Sequence, residues 1–205
     1  MLSCEPTCSK GFVVEDKKGD SGDMFKEITL PLTKEVTENL QIGDCVWVSG
    51  CMYTARDAAH KQMMEEYHQG KGFPFDLRGS TIYYLGPSPA RENQVIGSAG
   101  PTTSSRMDKY TPLLLEQGLL GMIGKGKRST EVIDAIVQNK AVYFAAIGGA
   151  GALLSKCITD VQVIAYEELG TEAIRKITVS KLPVIVVIDS KGNNLYEIAP
   201  KKYMK

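Results

Sequence analysis

Three apolar, strand-like runs in the middle of the chain each lead through a short loop into a helix-like run, and this alternation limits the possible folds. The runs cover residues 45–50, 93–97 and 119–123, and a fourth over residues 141–147 leads into a glycine-rich turn and a short helix. Both ends of the chain are mostly strand-like, with two strands predicted inside residues 182–196. Helices that alternate with strands pack against a sheet. The sequence therefore predicts an α/β fold with mixed layers and no internal repeat.

The chain divides into a short polar segment and one domain of ordinary size. Residues 1–23 are rich in Gly, Asp, Lys and Ser without periodicity, which predicts a flexible N-terminal extension. Residues 24–205 form one patterned domain that is long enough to bury a full core. Cys4 and Cys8 have the spacing of metal ligands, but no second Cys or His pair follows to complete four ligands, so no metal site is predicted.

Charge and apolar pattern exclude several classes of partner. The 24 basic and 24 acidic residues balance, which leaves no electrostatic case for binding nucleic acid or an anionic membrane. No apolar run approaches the roughly 20 residues of a membrane span, and the N-terminus lacks the pattern of a secretory signal. The five cysteines are an odd set, which favours reduced thiols over a disulfide framework. We therefore expect a cytoplasmic protein in which any anion site is local.

The loop after the second strand-like run is rich in groups that bind anions. Residues 97–108 hold a small-residue turn, a run of hydroxyl side chains, Arg106 and Asp108. Ser104 or Ser105 is predicted to cap a helix that carries Arg106. Hydroxyls, backbone N–H groups and one guanidinium would then face a single carboxylate or phosphate. The alternative is a surface turn whose hydroxyls only cap the helix.

A second strand-to-helix loop places a cation at a helix start. Thr54 is predicted to cap a helix that reaches Tyr67, with Arg56 in its first turn and His60 on the same face. A cation at a helix N-terminus opposes the helix dipole, so Arg56 is unfavourable for helix stability unless a bound anion compensates it. The alternative is a solvated arginine that pairs with Asp57 or with an acidic residue further along the chain.

Two glycine-containing loops complete the set. Residues 124–130 carry Lys125 and lead into a helix that Ser129 or Thr130 caps, but the glycine and lysine spacing does not match a P-loop. The glycines of residues 148–151 do not match a dinucleotide fingerprint either. Close packing, or close approach of the backbone to a ligand, explains these glycines better.

Four segments in these loops carry the pattern of one family. They are Tyr53-Thr-Ala-Arg-Asp-Ala-Ala-His60, Gly100-Pro-Thr-Thr-Ser-Ser-Arg-Met-Asp108, Lys125-Gly-Lys-Arg-Ser129 and Ile147-Gly-Gly-Ala-Gly151. Over residues 24–198 the chain resembles the β subunit, or C-terminal domain, of class I iron-sulfur fumarases and L-tartrate dehydratases. The Gly-Pro-Thr-Thr and Arg-Met-Asp core is more specific than any single glycine motif.

The resemblance implies a hydro-lyase that adds or removes water on a four-carbon dicarboxylate, with fumarate or malate expected first and tartrate next. It also implies a swivelling β/β/α three-layer domain with a mixed sheet. In such enzymes an α part holds a 4Fe-4S cluster through three cysteines, and the fourth iron binds substrate as a Lewis acid. Since no stretch of this chain resembles that part, the cluster is expected on a partner α subunit, in a heterodimer or heterotetramer.

The resemblance also implies roles for single residues. Arg56, Arg106 and Lys125 match the cations that bind the substrate carboxylates, and Lys125 is also counted as catalytic. Thr102 matches the hydroxyl that abstracts the proton next to a carboxylate, and a hydrogen bond to that carboxylate is its alternative role. The supporting substrate-binding residues are Asp57, His60, Thr103, Gly148 and Gly149.

Two other functions fit the same residues. One is a non-catalytic regulatory module that binds a carboxylate or phosphate through these loops. The other is a structural partner that only covers the cluster of another subunit. An adjacent reading frame with three well-separated cysteines would favour the catalytic half over the regulatory module.

Overall fold

The described part of the chain folds into eight strands and six α-helices. The structure is a computed structural model and describes residues 17–18, 24–90, 92, 94–146 and 150–203. The strands are β1 (Lys17–Lys18), β2 (Met24–Thr29), β3 (Cys45–Thr54), β4 (Thr81–Tyr83), β5 (Gly121–Gly124), β6 (Val142–Ala145), β7 (Ile158–Ala165) and β8 (Ile174–Ile188). The α-helices are α1 (Lys34–Asn39), α2 (Asp57–His68), α3 (Thr111–Glu116), α4 (Thr130–Asn139), α5 (Gly151–Leu154) and α6 (Leu195–Tyr203). Three 3-10 helices cover Ser104–Met107, Ser155–Cys157 and Glu167–Glu172.

The strands form a mixed sheet in the order β1-β2-β3-β4-β5-β6-β8-β7. Neighbouring strands from β2 to β6 are parallel, whereas β8 runs antiparallel to β3, β6 and β7. Because β8 pairs with both β3 and β6, the strands β3, β4, β5, β6 and β8 close into a ring, and the sheet is a partial barrel. The predicted α/β fold with a mixed sheet is confirmed.

Apolar cores cover both faces of the sheet. In β6, Val142 and Phe144 enter one core, while Tyr143 between them enters the other. Successive side chains of a strand point to opposite faces, so both faces of β6 are buried, as parallel strands require. Helices α2 and α4 cover the second core with residues such as Met63 and Ile136. None of the helices built by the described residues has the length and apolar character of a membrane span.

Two predicted strands are wrong. Residues 94–97 do not pair in the sheet, because Gly97 packs so tightly on the preceding turn that a Cβ there would overlap the carbonyl oxygen of Ser88. The backbone N–H of Ser98 donates to Ser88 Oγ at 2.8 Å and completes this contact. The chain after residue 194 forms helix α6 and not a second C-terminal strand. Asn194 Oδ1 accepts a hydrogen bond from the N–H of Tyr196 at 3.1 Å and starts that helix.

Two predicted helix caps are also wrong. Thr54 ends β3, and its Oγ1 accepts a hydrogen bond from the N–H of Arg175 in β8 at 3.3 Å, so the hydroxyl is engaged by the sheet. Arg56 takes the cap position of α2 without a side-chain cap bond. Ser104 lies inside a 3-10 helix that follows Thr103, and neither serine caps it.

Gly79 is expected to tolerate no side chain. Its φ is +72°, and a Cβ there would lie 2.6 Å from the carbonyl oxygen of Leu32. Gly70 is a matched control, because its φ is +78° and nothing lies within 4 Å of its Cβ position. Gly70→Ala should lower the free energy of unfolding by about 1 kcal/mol, because alanine is strained in the left-handed backbone conformation. Gly79→Ala should lower it by about 2 kcal/mol more, because its Cβ also overlaps Leu32. Urea unfolding measures both, and equal losses would contradict the packing at Gly79.

Candidate anion-binding site

Three loops meet where the parallel strands β3, β4 and β5 end. Backbone hydrogen bonds continue beyond the strands, with the N–H of Ala55 donating to Tyr83 at 3.3 Å and the N–H of Tyr84 donating to Ile123 at 2.9 Å. The N–H of Thr102 then donates to the carbonyl of Tyr84 at 2.9 Å. Because these bonds fix the first residues after each strand, the sheet itself holds the loops that carry the predicted site.

Arg56 lies at the N-terminus of α2 and pairs with two carboxylates. Its Nη2 is 3.7 Å from Asp57 Oδ2 and 3.4 Å from Glu172 Oε1. Both distances exceed that of an ideal hydrogen bond, and Arg56 Nε is buried without a hydrogen-bond partner among the described residues. The two carboxylates compensate the cation at the helix start and leave part of its donor capacity unused. The pairing of Arg56 with Asp57 and a distant acidic residue is also what the alternative interpretation predicted.

Asp57 connects the second arginine to the first. Its Oδ1 is 3.3 Å from Arg106 Nε, and Arg106 Nη2 donates a hydrogen bond to Thr102 Oγ1. The two guanidinium groups therefore lie on either side of one carboxylate, with a hydroxyl beside the second. Since 44% of the Arg106 side chain is exposed, a ligand in solvent can reach this network, which consists of Arg56, Asp57, Arg106 and Thr102.

Lys125 joins the same loops through its backbone. Its N–H donates to Ser104 Oγ at 3.1 Å, and its carbonyl accepts from the N–H of Ser104 at 2.9 Å. Thr103 forms a parallel bridge with Lys125, and both side chains are exposed. Within the part of the chain that the structure describes, Lys125 Nζ makes no ion pair. Gly148 and Gly149 lie outside the described residues.

His60 is fully buried beneath this network and contacts the backbone of Arg56. Its Nδ1 lies 2.7 Å from the carbonyl oxygen of Arg56. Burial lowers the pKa of His60 from 6.5 to about 4, so the ring is neutral and its Nδ1–H donates to that carbonyl. The ring also stacks on Tyr110 at 5.8 Å and meets Tyr84 edge-on at 5.6 Å. His60 therefore fixes the start of α2 from within the core.

Two residues that the sequence analysis did not single out shape the site. Glu172 Oε2 accepts a hydrogen bond from the N–H of Ala58 at 2.8 Å, while Oε1 faces Arg56. Gly86 lies against Arg56, and a Cβ at Gly86 would lie 2.7 Å from Arg56 Cδ. Glu172 belongs to a polar stretch without periodicity, and Gly86 begins a proline-rich turn. No local pattern distinguishes either residue from ordinary loop residues.

Arg128 anchors the lysine loop beneath the hydroxyl loop. Its side chain is 0% exposed, and its Nε donates to Asp108 Oδ1 at 2.7 Å. The guanidinium also lies 5.3 Å from the ring centre of Tyr84 and 4.9 Å from that of Tyr143. The second oxygen of Asp108 accepts the N–H of Ser129 at 2.7 Å at the start of α4. Asp108 thus lies at the N-terminus of α4, and a buried pair with these partners is sufficiently hydrogen-bonded to be retained.

The described residues also form a cleft of about 420 Å³. It is lined by Pro87 and Ile96 from the loop after β4, by Val163 of β7, and by Thr171 and Ala173 on either side of Glu172. None of the predicted site residues that the structure describes lines this cleft. The candidate site is therefore the charged network, and the cleft is lined by chain neighbours of Gly86 and Glu172 and not by network residues.

The described residues do not fit an iron-sulfur cluster, which needs several cysteine thiolates close together. Among them, no group of three or more His, Cys, Asp or Glu side chains is arranged to hold a metal ion. Cys45 and Cys157 are partly buried, and Cys51 is exposed with its Sγ 3.6 Å from Thr178 Oγ1. The remaining two cysteines, Cys4 and Cys8, lie outside the described residues.

Comparison with known proteins shows a family and several relatives. The family described as the fumarase C-terminus matches residues 7–199. The chain is 40% identical to fumarate hydratase 2 of Leishmania major over 157 residues, which are 76% of this chain and 28% of that protein. It is 38% identical to the anaerobic class I fumarate hydratase of Escherichia coli K12 over 186 residues, or 89% of this chain and 33% of that protein. The chain therefore spans a third or less of the length of these two relatives.

One relative is only slightly longer than the segment that matches this chain. The chain is 37% identical to the putative L(+)-tartrate dehydratase subunit beta of Methanocaldococcus jannaschii over 177 residues. The match covers 83% of this chain and 91% of that subunit. Similarity therefore extends over nearly the whole of a separate β subunit.

The buried His60 is expected to make stability depend on acid pH. Its pKa is about 4 in the folded chain and 6.5 when unfolded, so the unfolded state binds the proton more tightly. The contribution of His60 to the free energy of unfolding is complete above pH 6.5. It falls as the pH drops towards 4, by roughly 3 kcal/mol in all. Urea unfolding at pH 7 and 4.5 should show a smaller acid loss for His60→Gln than for the parent. His68→Gln, at an exposed histidine, should match the parent, and identical losses in all three proteins would contradict the assignment.

Proposed function

The chain belongs to the fumarase C-terminus family, and on this premise we propose that it forms one half of the active site of a hydro-lyase. The reaction is the reversible addition or removal of water on a four-carbon dicarboxylate, with fumarate or malate first and tartrate next. The main support for the proposal is the charged network. In it, Asp57 pairs with both Arg56 and Arg106, and Arg106 donates a hydrogen bond to the Thr102 hydroxyl. Two guanidinium groups on adjoining loops suit a substrate with two carboxylates.

The other half of the site belongs to an α subunit that holds a 4Fe-4S cluster, in a heterodimer or heterotetramer. The similarity to a protein named as a β subunit, over 91% of its length, supports this division. The described residues of this chain offer no ligand set for the cluster, and the roles proposed for this chain's residues are substrate binding and proton transfer.

Arg56, Arg106 and Lys125 bind the two carboxylates of the substrate. Each arginine can grip a carboxylate with two parallel N–H donors, and the lysine adds a charge without that geometry. The exposed Lys125 side chain follows β5, and Arg106 follows the loop after β4, so the cations reach the substrate from different loops. Asp57 bridges the two guanidinium groups, with Oδ2 facing Arg56 and Oδ1 facing Arg106.

Thr102 takes the proton from the carbon next to a substrate carboxylate. Loss of this proton leaves a dianionic carboxylate that is stable only beside cations, and Arg106 and Lys125 supply them. Arg106 Nη2 already donates to Thr102 Oγ1. The same contact favours the alkoxide form of Thr102, with each pKa unit of lowering worth about 1.4 kcal/mol. The proton moves from the carbon to the threonine oxygen.

The same proposal includes supporting residues. Thr103, Gly148 and Gly149 are assigned to substrate binding by the resemblance alone, and His60 acts on the site through the backbone of Arg56. The domain is proposed as a swivelling β/β/α domain over residues 24–205, preceded by an N-terminal extension over residues 1–23 from which Lys17 and Lys18 pair with β2 as strand β1. The odd set of five cysteines supports a cytoplasmic location, because such sets are typical of reducing compartments.

Arg106→Lys in the assembled enzyme should lower kcat/KM by an amount equivalent to about 2 to 4 kcal/mol of transition-state stabilisation. The reason is that an ammonium cannot replace the paired N–H donors to carboxylate and hydroxyl. Steady-state kinetics with fumarate, malate and L-tartrate measure the effect. Arg78→Lys is the control, since that side chain is 84% exposed and, among the described residues, pairs with Asp76 alone. If substitutions at Arg56, Arg106 and Lys125 all leave kcat/KM within a few-fold, these residues are surface cations.

Thr102→Ala should lower kcat at least about 100-fold with little change in KM, because general base catalysis is lost while the binding cations remain. Thr102→Ser should retain part of the activity, since it keeps the hydroxyl. Exchange of the substrate C3 proton with deuterated solvent, followed by NMR, should fall in parallel with turnover. An alanine variant that exchanges this proton at the parent rate would reduce Thr102 to a residue that only binds substrate.

A further inference from the structure

We infer that Glu172 is a positioning residue that holds the Arg56 guanidinium ready for a substrate carboxylate, with Gly86 as the surface against which Arg56 lies. The inference deepens the proposed function and rests on it. Neither residue belongs to the segments that carry the resemblance, and both were found through their contacts with Arg56.

One oxygen of Glu172 is tied to the backbone, so the other has a fixed place. Oε2 accepts the N–H of Ala58 at 2.8 Å in the first turn of α2. A carboxylate at this position is favoured by the free N–H groups and by the helix dipole. Oε1 then faces Arg56 Nη2 at 3.4 Å. The Glu172 carboxylate therefore links the start of α2 to the guanidinium of Arg56.

The segment that carries Glu172 is fastened along α2 at two further points. Gln62 Nε2 donates to Glu168 Oε1 at 3.2 Å. Near the C-terminal end of α2, the hydroxyl of Tyr166 donates to Glu66 Oε2 at 2.8 Å. Contacts at both ends and in the middle hold the segment against the helix. The position of Glu172 relative to Arg56 is thus set by the packing of two elements.

These contacts favour positioning over competition with the substrate. A competing carboxylate would have to leave Arg56 when the substrate binds, and Glu172 would then lose its hydrogen bond to Ala58 at the helix start. Asp57 and Glu172 both approach the same atom, Nη2. The side chain of Arg56 remains 22% exposed, so a substrate carboxylate can join the guanidinium while Glu172 stays in place.

Gly86 limits Arg56 from another direction. A Cβ at Gly86 would lie 2.7 Å from Arg56 Cδ and would overlap its Nη1. Gly86 does not have a positive φ, so its backbone can accept alanine. The expected effect of Gly86→Ala is therefore a displaced guanidinium and not a strained chain. Glu172 and Gly86 together define where Arg56 points.

The test is steady-state kinetics of the enzyme assembled from this chain and its α subunit, with Glu172→Gln compared with Glu168→Gln. Both changes remove one charge from the segment Glu167–Glu172, which is kinked at Gly170, but Glu168 contacts Gln62 and not Arg56. Glu172→Gln should raise KM for fumarate and malate roughly tenfold with kcat within about threefold, because Arg56 binds the carboxylate equally in ground and transition states. Glutamine still accepts the N–H of Ala58, so the melting temperature should stay near that of the parent. Gly86→Ala should raise KM in the same way, and Glu168→Gln should not.

Other results would overturn the inference. A lower KM in Glu172→Gln would make Glu172 a competitor, and a KM equal to that of Glu168→Gln would leave it a helix cap. If the parent assembly turns over neither fumarate, malate nor L-tartrate, the proposed function fails separately. Succinate binding to this chain alone, followed at the NMR signal of Arg56 Nε–H, then decides the inference. Binding that Glu172→Gln weakens at least fivefold supports it, and unchanged or absent binding rejects it.

Discussion

Parallel pairing of β3, β4 and β5 is the constraint on which the site depends. Parallel strands end at the same edge of a sheet, so the loops that follow them meet without any long connection. Hydrogen bonds from Tyr84 to Ile123 and from Thr102 to Tyr84 extend the pairing beyond the strands and place the loops accurately. Strand β8 closes the ring by pairing with β3 and β6, and it supports the same edge.

Charge is divided between a buried pair and an accessible network. Arg128 is fully buried, and Asp108 and two tyrosine rings surround its guanidinium, so it holds the loops together and has little left for a ligand. Arg56 and Arg106 are partly exposed and share Asp57 at longer distances. Buried ions require complete pairing, whereas exposed ions can exchange partners. This contrast separates the arginine that builds the site from those proposed to bind substrate.

Local signals in the sequence predicted much of the fold, and distant contacts explain the failures. Ser129 is one of the two residues predicted to cap α4, and it does so, because a cap depends on residues three positions apart. The cap predicted at Thr54 failed because Arg175, far along the chain, engages its hydroxyl. The resemblance predicted the arginines and the threonine of the network. It did not predict Glu172, whose role is visible only when the 3-10 helix packs on α2.

If this chain supplies half of an active site, its activity depends on a partner that holds the cluster. The most direct measurement is anaerobic co-expression with the reading frame of its α subunit, followed by iron-sulfur reconstitution and assays of fumarate hydration and L-tartrate dehydration. The chain prepared alone should be colourless and inactive, and the assembled pair should turn over a four-carbon dicarboxylate. A stable brown cluster with turnover in this chain alone would contradict the account.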